Sequence, residues 1–79
     1  MTRPNTIRVG DYAQLAVTDR DGTTELVWVR VRRAARNGPR RYLGTIVTEP
    51  ARVTAWRYGD RISFEPRNVV DVERPKILA

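Results

Sequence analysis

The sequence contains no cysteine and no histidine among its 79 residues. A chain without thiols and imidazoles cannot form disulfides, Cys/His zinc sites or a catalytic triad that needs histidine. It also has no apolar run near the roughly 18 residues of a membrane span. Residues 1–6 are polar, and no signal-peptide core follows them. These absences predict a cytoplasmic protein that needs no metal or cofactor.

Acidic residues are missing from one long segment. The formal net charge is +6, from 15 basic and 9 acidic residues. Residues 26–48 contain no Asp or Glu and hold six arginines, whereas the rest of the chain is balanced. A concentrated positive field attracts polyanions such as nucleic acid, an anionic membrane surface or an acidic protein.

Lysine is almost absent too, since Lys76 is the only one. Arginine can be favoured because its planar fork binds phosphate in a bidentate manner and stacks on bases. The codon preference of a GC-rich genome is the competing explanation. Codon preference accounts for arginine in place of lysine, but it does not explain why residues 26–48 lack acids.

Alternating apolar residues between turn signals predict strands. Asp21-Gly22 and Asn37-Gly38 are hairpin-turn dipeptides, and the long segment between them alternates valines with Trp and Arg. That alternation predicts one buried face and one face that carries Trp28, Arg30 and Arg32. The predicted strands lie at residues 12–17, 23–33, 40–48, 61–65 and 69–72.

These strands predict an all-β fold: a small, strongly bent antiparallel sheet or a partly open SH3-like barrel of about five strands. Residues 1–79 would form a single β domain with a short loose N-terminal arm and a C-terminal tail. Gly44 within a strand predicts a bulge or bend. Residues 51–58 are ambiguous, and a helix near 51–57 would give an α+β fold instead.

The dipeptide Gly-Asp occurs twice, at Gly10-Asp11 and Gly59-Asp60, each time just before a predicted strand. Glycine supplies backbone freedom, and the aspartate can bond its own backbone. The pattern predicts the same strand-launching turn at both places.

From Glu25 onward, the order of short motifs resembles the YegJ-like bacterial domains of unknown function. The motifs are Trp28-Val29, Gly44-Thr45-Ile46, Thr48 with Pro50, Gly59 to Phe64, and Val69-Val70-Asp71. The similarity covers about residues 25–73. Thr48 stands where the family more often has Asn, and Val72 where it more often has Trp. The resemblance implies a fold rather than an activity, and small arginine-rich domains of this kind also resemble accessory proteins of actinobacterial phages.

The candidate anion-binding residues are Trp28, Arg30, Arg32, Arg33, Arg36, Arg40, Arg41 and Tyr42. Aromatic rings among arginines on a sheet surface are typical of single-stranded nucleic-acid binding, in which bases stack and guanidinium groups hold phosphates. In the alternative interpretation, Trp28 covers an open end of the thin core and the arginine stems cover apolar surface.

No residue set predicts an enzyme. Asp11 with Asp60, and Asp19 with Asp21, are carboxylate pairs that turn formation explains. The sequence therefore predicts a non-enzymatic binding module whose basic hairpin docks on a polyanion. The favoured polyanion is nucleic acid, bound without sequence specificity. The alternatives are a phage-encoded or bacterial module that binds and modulates an acidic or apolar host protein, and a homo-oligomer whose copies share their thin cores.

Overall fold

The structure, a computed structural model, describes residues 7–35 and 40–75. These residues form five strands and one short 3₁₀ helix: β1 Tyr12–Thr18, β2 Thr24–Ala34, β3 Tyr42–Ile46, β4 Arg61–Phe64, η1 Pro66–Asn68 and β5 Val69–Glu73. The strands make one antiparallel sheet in the order β4-β3-β2-β1-β5. The all-β prediction is confirmed. The helix considered near residues 51–57 is wrong, since that segment is an irregular loop.

The sheet is strongly bent and stays open between β4 and β5. In a flat sheet these two edge strands would lie four strand spacings apart, about 19 Å. Only η1 and one residue before it connect Phe64 to Val69. Five residue steps reach at most about 18 Å when fully extended, and a 3₁₀ turn is far shorter. The sheet must therefore curl until its edges approach one another.

The concave side of the sheet encloses the core. Val27, Val29 and Val31 of β2 are at most 1% exposed, as their alternation predicts. The other strands contribute Ala13, Leu15, Val17, Tyr42, Ile46, Ile62, Phe64 and Val69. Within the described residues, no helix has the length and apolar character to cross a membrane.

Gly44 of β3 packs directly against the backbone of β2. A Cβ at this position would collide with Cγ1 of Val29 and stand 2.8 Å from the carbonyl oxygen of Arg30. The register of the β2–β3 pair shifts between Val31, which pairs with Gly44, and Arg33. The predicted irregularity is therefore present at Gly44, but the extra residue is Arg32 of β2 rather than a residue of β3.

The two Gly-Asp turns are the same device, as predicted. The Arg8 amide donates to the Asp11 carboxylate at 2.9 Å, and the Arg57 amide donates to the Asp60 carboxylate at 2.9 Å. Gly10 has a φ of 97° and Gly59 a φ of 90°, which glycine adopts without steric penalty. Each turn then exchanges two backbone bonds with a central strand, at Val31 of β2 for the first and Ile46 of β3 for the second.

Two carboxylates hold the loop between β3 and β4 against the β1–β2 hairpin. Glu25 accepts from the amides of Ala51, Arg52 and Val53 at 2.7–3.0 Å. Asp19 accepts from the amides of Thr54 and Ala55 at 2.8 and 2.9 Å. These bonds satisfy the backbone amides of the loop, as strand pairing does in a sheet. The loop can therefore bury Val53 without secondary structure of its own.

Three predicted features lie outside the described residues. They are the loose arm at residues 1–6, the Asn37-Gly38 turn and the last four residues of the tail.

Gly44→Ala should destabilise the fold by about 2–3 kcal/mol, because the added methyl overpacks the β2–β3 contact. Urea unfolding measures the change. Ser63→Ala, at an exposed position of β4, is the control and should stay within about 0.5 kcal/mol of the parent. Equal stability of the two variants would show that β3 does not approach β2 as described.

Stability should also fall in acid through Glu25. Hydrogen bonds from the backbone amides of Ala51, Val53 and Arg52 lower the pKa of the Glu25 carboxyl in the folded state. Its contribution is therefore complete above the unfolded-state pKa of about 4.3 and is lost as the pH falls through the lower folded-state pKa.

Urea unfolding between pH 7 and pH 3 tests this expectation. Glu25→Gln should lower the midpoint at pH 7 and flatten the decline in acid, whereas Glu49→Gln, at an exposed position, should change neither. A decline of unchanged steepness in Glu25→Gln would contradict it.

Candidate anion-binding face

The side of the sheet that points away from the core is the outer face. Its residues alternate with the core residues along each strand. One row crosses four strands in the register Tyr12–Arg30–Thr45–Arg61. The row is polar and basic, so the outer face is where the chain presents charge.

The β2 bulge places two consecutive arginines on the outer face. Val31 faces the core, and Arg32 points outward, where its Nε donates to Oγ1 of Thr45 at 3.4 Å. After the register shift, Arg33 pairs with the outward Leu43. Regular alternation would have turned Arg33 toward the core. The bulge turns it outward and so adds one positive charge to the outer face.

Arg61 joins these residues from β4. Thr45 pairs with Arg30 on one side and with Arg61 on the other. The Cα atoms of the two arginines are therefore about 10 Å apart, across two strand spacings. Sequence reasoning missed Arg61 because it lies outside residues 26–48. The inward Ile62 and Phe64 implied its direction, but not that β4 is the neighbour of β3.

Arg30, Arg32, Arg33 and Arg61 are named here the arginine cluster. Within the described residues, ion pairs occur at Arg41–Glu65, Arg67–Glu65 and Arg74–Asp11. None of these pairs involves the cluster. Four guanidinium groups thus share one side of a small sheet without a carboxylate within 4.0 Å among the described residues.

The cluster borders an open depression of about 440 Å³. Its lining residues are Arg32, Arg33, Leu43, Gly44, Thr45 and Arg61. Three guanidinium groups and one hydroxyl surround an apolar patch from Leu43. Such a set can donate many hydrogen bonds to one anion.

Acidic residues mark the far edge of the outer face. Asp71 pairs with Gln14 and Glu73 pairs with Tyr12, both from β5. β1 separates them from β2, a distance of about 10 Å across two strand spacings. The outer face is therefore basic over β2, β3 and β4 and acidic along β5, which would repel a polyanion from that edge.

Aromatic rings flank the cluster on β1 and β2. The Arg30 guanidinium carbon lies 5.6 Å from the centroid of the Tyr12 ring, within cation–π range. Trp28 is half-buried and pairs with Gln14 on the outer face. Its amide donates to Oγ1 of Thr48 at 2.9 Å, which ties the start of the loop to β2. Trp28 therefore presents a ring on the same face as Arg30.

The remaining predicted site residues differ in where the structure places them. Tyr42 faces the core, 9% exposed, with its ring 5.6 Å from that of Phe64 and nearly parallel to it. The ring is therefore turned away from the outer face, although Tyr42 was predicted among the anion-binding residues. Its register partner on β2 is the exposed Ala34. Arg41 lies 3.8 Å from Glu65 and lines a second open depression together with Arg33, and Arg40 is exposed just before β3. Arg36 lies outside the described residues.

The carboxylate pairs considered for chemistry are engaged by the backbone. Asp11, Asp19 and Asp60 accept the amide bonds given above, and Asp21 accepts from the amide of Thr23 at 3.0 Å. That bond lowers the pKa of the Asp21 carboxyl. Among residues 7–35 and 40–75, no group of three potential metal ligands gathers. These four carboxylates anchor three turns and the loop between β3 and β4.

No protein-family model, no curated protein and no solved structure matches this chain. The resemblance of residues 25–73 to the YegJ-like domains, the SH3-like character of the sheet and a phage origin stay predictions.

Tyr42→Phe should leave polyanion binding unchanged, within about twofold, because the ring faces the core and only its hydroxyl is removed. Heparin-affinity elution measures binding, and urea unfolding checks the fold. Arg30→Gln, in the cluster, is the comparison and should elute at lower salt. Elution of Tyr42→Phe at lower salt, with unchanged stability, would show that the Tyr42 hydroxyl contributes to binding.

Proposed function

We propose that the protein is a non-enzymatic binding module that holds nucleic acid on its outer face without reading sequence. The observation that carries the proposal is the arginine cluster, which lacks a carboxylate within 4.0 Å among the described residues. Four unneutralised guanidinium groups repel one another, and a bound polyanion would relieve that repulsion. The proposed contact surface is shared by β2, β3 and β4 and is not confined to the hairpin of residues 26–48.

The chemistry of the face favours phosphates over bases. Arginine forks bind phosphate oxygens in pairs, and such contacts orient a nucleic acid but do not identify its bases. The described residues contain no α-helix that could enter a major groove. Trp28 offers one ring on which a base of a single strand could stack, whatever its identity. We therefore propose sequence-independent binding.

A second candidate function is binding to a host protein, in which the module modulates its partner. Leu26 and Val70 are 49% and 50% exposed, and Val70 lies on the edge strand β5. An edge strand can pair with a strand of another protein. Affinity capture from nuclease-treated lysate separates the two functions, since a stoichiometric protein that the parent captures and Val70→Glu loses supports the second one.

Random single-stranded and duplex oligonucleotides should bind with strong salt dependence. If all four cluster arginines contact phosphates, log affinity should fall against log salt with a slope of about −3 to −4. Arg30→Gln, Arg33→Gln and Arg61→Gln should each reduce that slope by about 1 and weaken binding alike for all sequences. Fluorescence anisotropy over a salt series measures both quantities.

Arg20→Gln is the matched control, because it removes the same charge from the turn between β1 and β2. That turn precedes Thr24, and Thr24 lies about 20 Å along β2 from Arg30. The control should keep the parent slope. Absence of binding at low salt, or equal losses in Arg20→Gln and Arg61→Gln, would defeat the proposal.

A further inference from the structure

The depression beside the β2 bulge brings hydrogen-bond donors from three strands together. It gathers Arg32 and Arg33 from consecutive positions of β2 and Arg61 from β4, with Thr45 between them on β3. Its volume of about 440 Å³ far exceeds that of one water, about 30 Å³ in the liquid. A compact anion therefore has room to enter among several donors.

The hydrogen bond between Arg32 and Thr45 decides which donors remain available. Nε of Arg32 donates to Oγ1 of Thr45, so the hydroxyl oxygen acts as an acceptor there. The hydroxyl proton can then point into the depression, and the terminal amino groups of Arg32 have no hydrogen-bond partner among residues 7–35 and 40–75. The bond also restricts the guanidinium plane, which reduces the ordering that a ligand must impose.

The bulge supplies the second guanidinium. Arg33 faces outward only because the register shifts after Val31. Opposite this point, Gly44 lets β3 approach β2 so closely that a Cβ would lie 2.8 Å from the Arg30 carbonyl oxygen. The arrangement of donors is therefore set by backbone geometry in a well-packed part of the sheet rather than by a mobile surface loop.

We infer that this depression is a phosphoryl-binding subsite, in which one phosphate group is held by the guanidinium groups of Arg32, Arg33 and Arg61 and by the hydroxyl of Thr45. The inference rests on the proposed function, because the phosphate belongs to the bound nucleic acid. Arg30 and Trp28 then contact the neighbouring nucleotide along β2. Dimethyl phosphate has the two ester and two non-bridging oxygens of an internal linkage, and inorganic phosphate approximates the terminal phosphate of a strand end.

Backbone amide NMR tests the subsite. Titration with inorganic phosphate, and separately with dimethyl phosphate, is compared with sodium chloride at equal ionic strength. Saturable shifts confined to residues 32–33, 43–45 and 61 support the inference. A response to inorganic phosphate alone assigns the subsite to a strand end, and a response to dimethyl phosphate assigns it to internal linkages. Shifts that match those with chloride overturn it.

Thr45→Val removes the hydroxyl and keeps a β-branched side chain, so the strand should persist. It should weaken phosphate binding about tenfold, the usual scale for losing a hydrogen bond to a charged group. Arg61→Gln should weaken it at least as much, and Arg20→Gln should leave it unchanged. Equal phosphate affinity of Thr45→Val and the parent would overturn the role given to the hydroxyl.

Oligonucleotide binding by the same proteins separates the two proposals. If oligonucleotides bind at low salt but the amides around Thr45 do not respond to phosphate, the subsite is wrong and the proposed function stands. If phosphate shifts those amides but no oligonucleotide binds, the proposed function is wrong and the phosphate must come from another ligand.

Discussion

The close approach of β3 to β2 at Gly44 is the constraint on which the outer face depends. Only glycine fits there, because a Cβ would meet Val29 and the Arg30 carbonyl. Beside this contact β2 accommodates one extra residue, Arg32, and the sheet bends. The bulge thus turns Arg33 outward beside Arg32 and adds to the curvature that the short connection between β4 and β5 requires. A regular pairing would have turned Arg33 toward the core.

The distribution of carboxylates complements that geometry. Six of the nine acidic side chains accept hydrogen bonds from backbone amides: Asp11, Asp19, Asp21, Glu25, Asp60 and Asp71. A carboxylate used in this way stabilises a turn or a loop and lies where the backbone needs it. These carboxylates are therefore positioned by the needs of turns and loops, and none of them lies within 4.0 Å of a guanidinium group of the arginine cluster. The basic character of the outer face therefore depends on where the acidic side chains are held as well as on the number of arginines.

The fold also repeats one local solution at two places. The Gly10-Asp11 turn delivers β1 to β2, and the Gly59-Asp60 turn delivers β4 to β3, with corresponding hydrogen bonds in each case. Each of these strands thereby enters the sheet with its alternation already set: Ala13 and Leu15 face inward on β1, as do Ile62 and Phe64 on β4. Arg61 occupies on β4 the position that Tyr12 occupies on β1. This correspondence explains why Arg61 faces outward, beside Thr45 of β3.

The sequence by itself determined the strands, the repeated turns and the buried valines of β2, because alternation and glycine chemistry act over a few neighbouring residues. It also determined that one segment carries the unbalanced charge. Only the tertiary structure decided that Arg61 joins the cluster, that Tyr42 turns into the core and that Asp19 and Glu25 anchor a distant loop. Those outcomes depend on strand order and on a one-residue register shift, and both are settled by contacts between residues far apart in the chain. Local pattern has no information about such contacts, since shifting a strand by one residue reverses every side chain without changing its sequence.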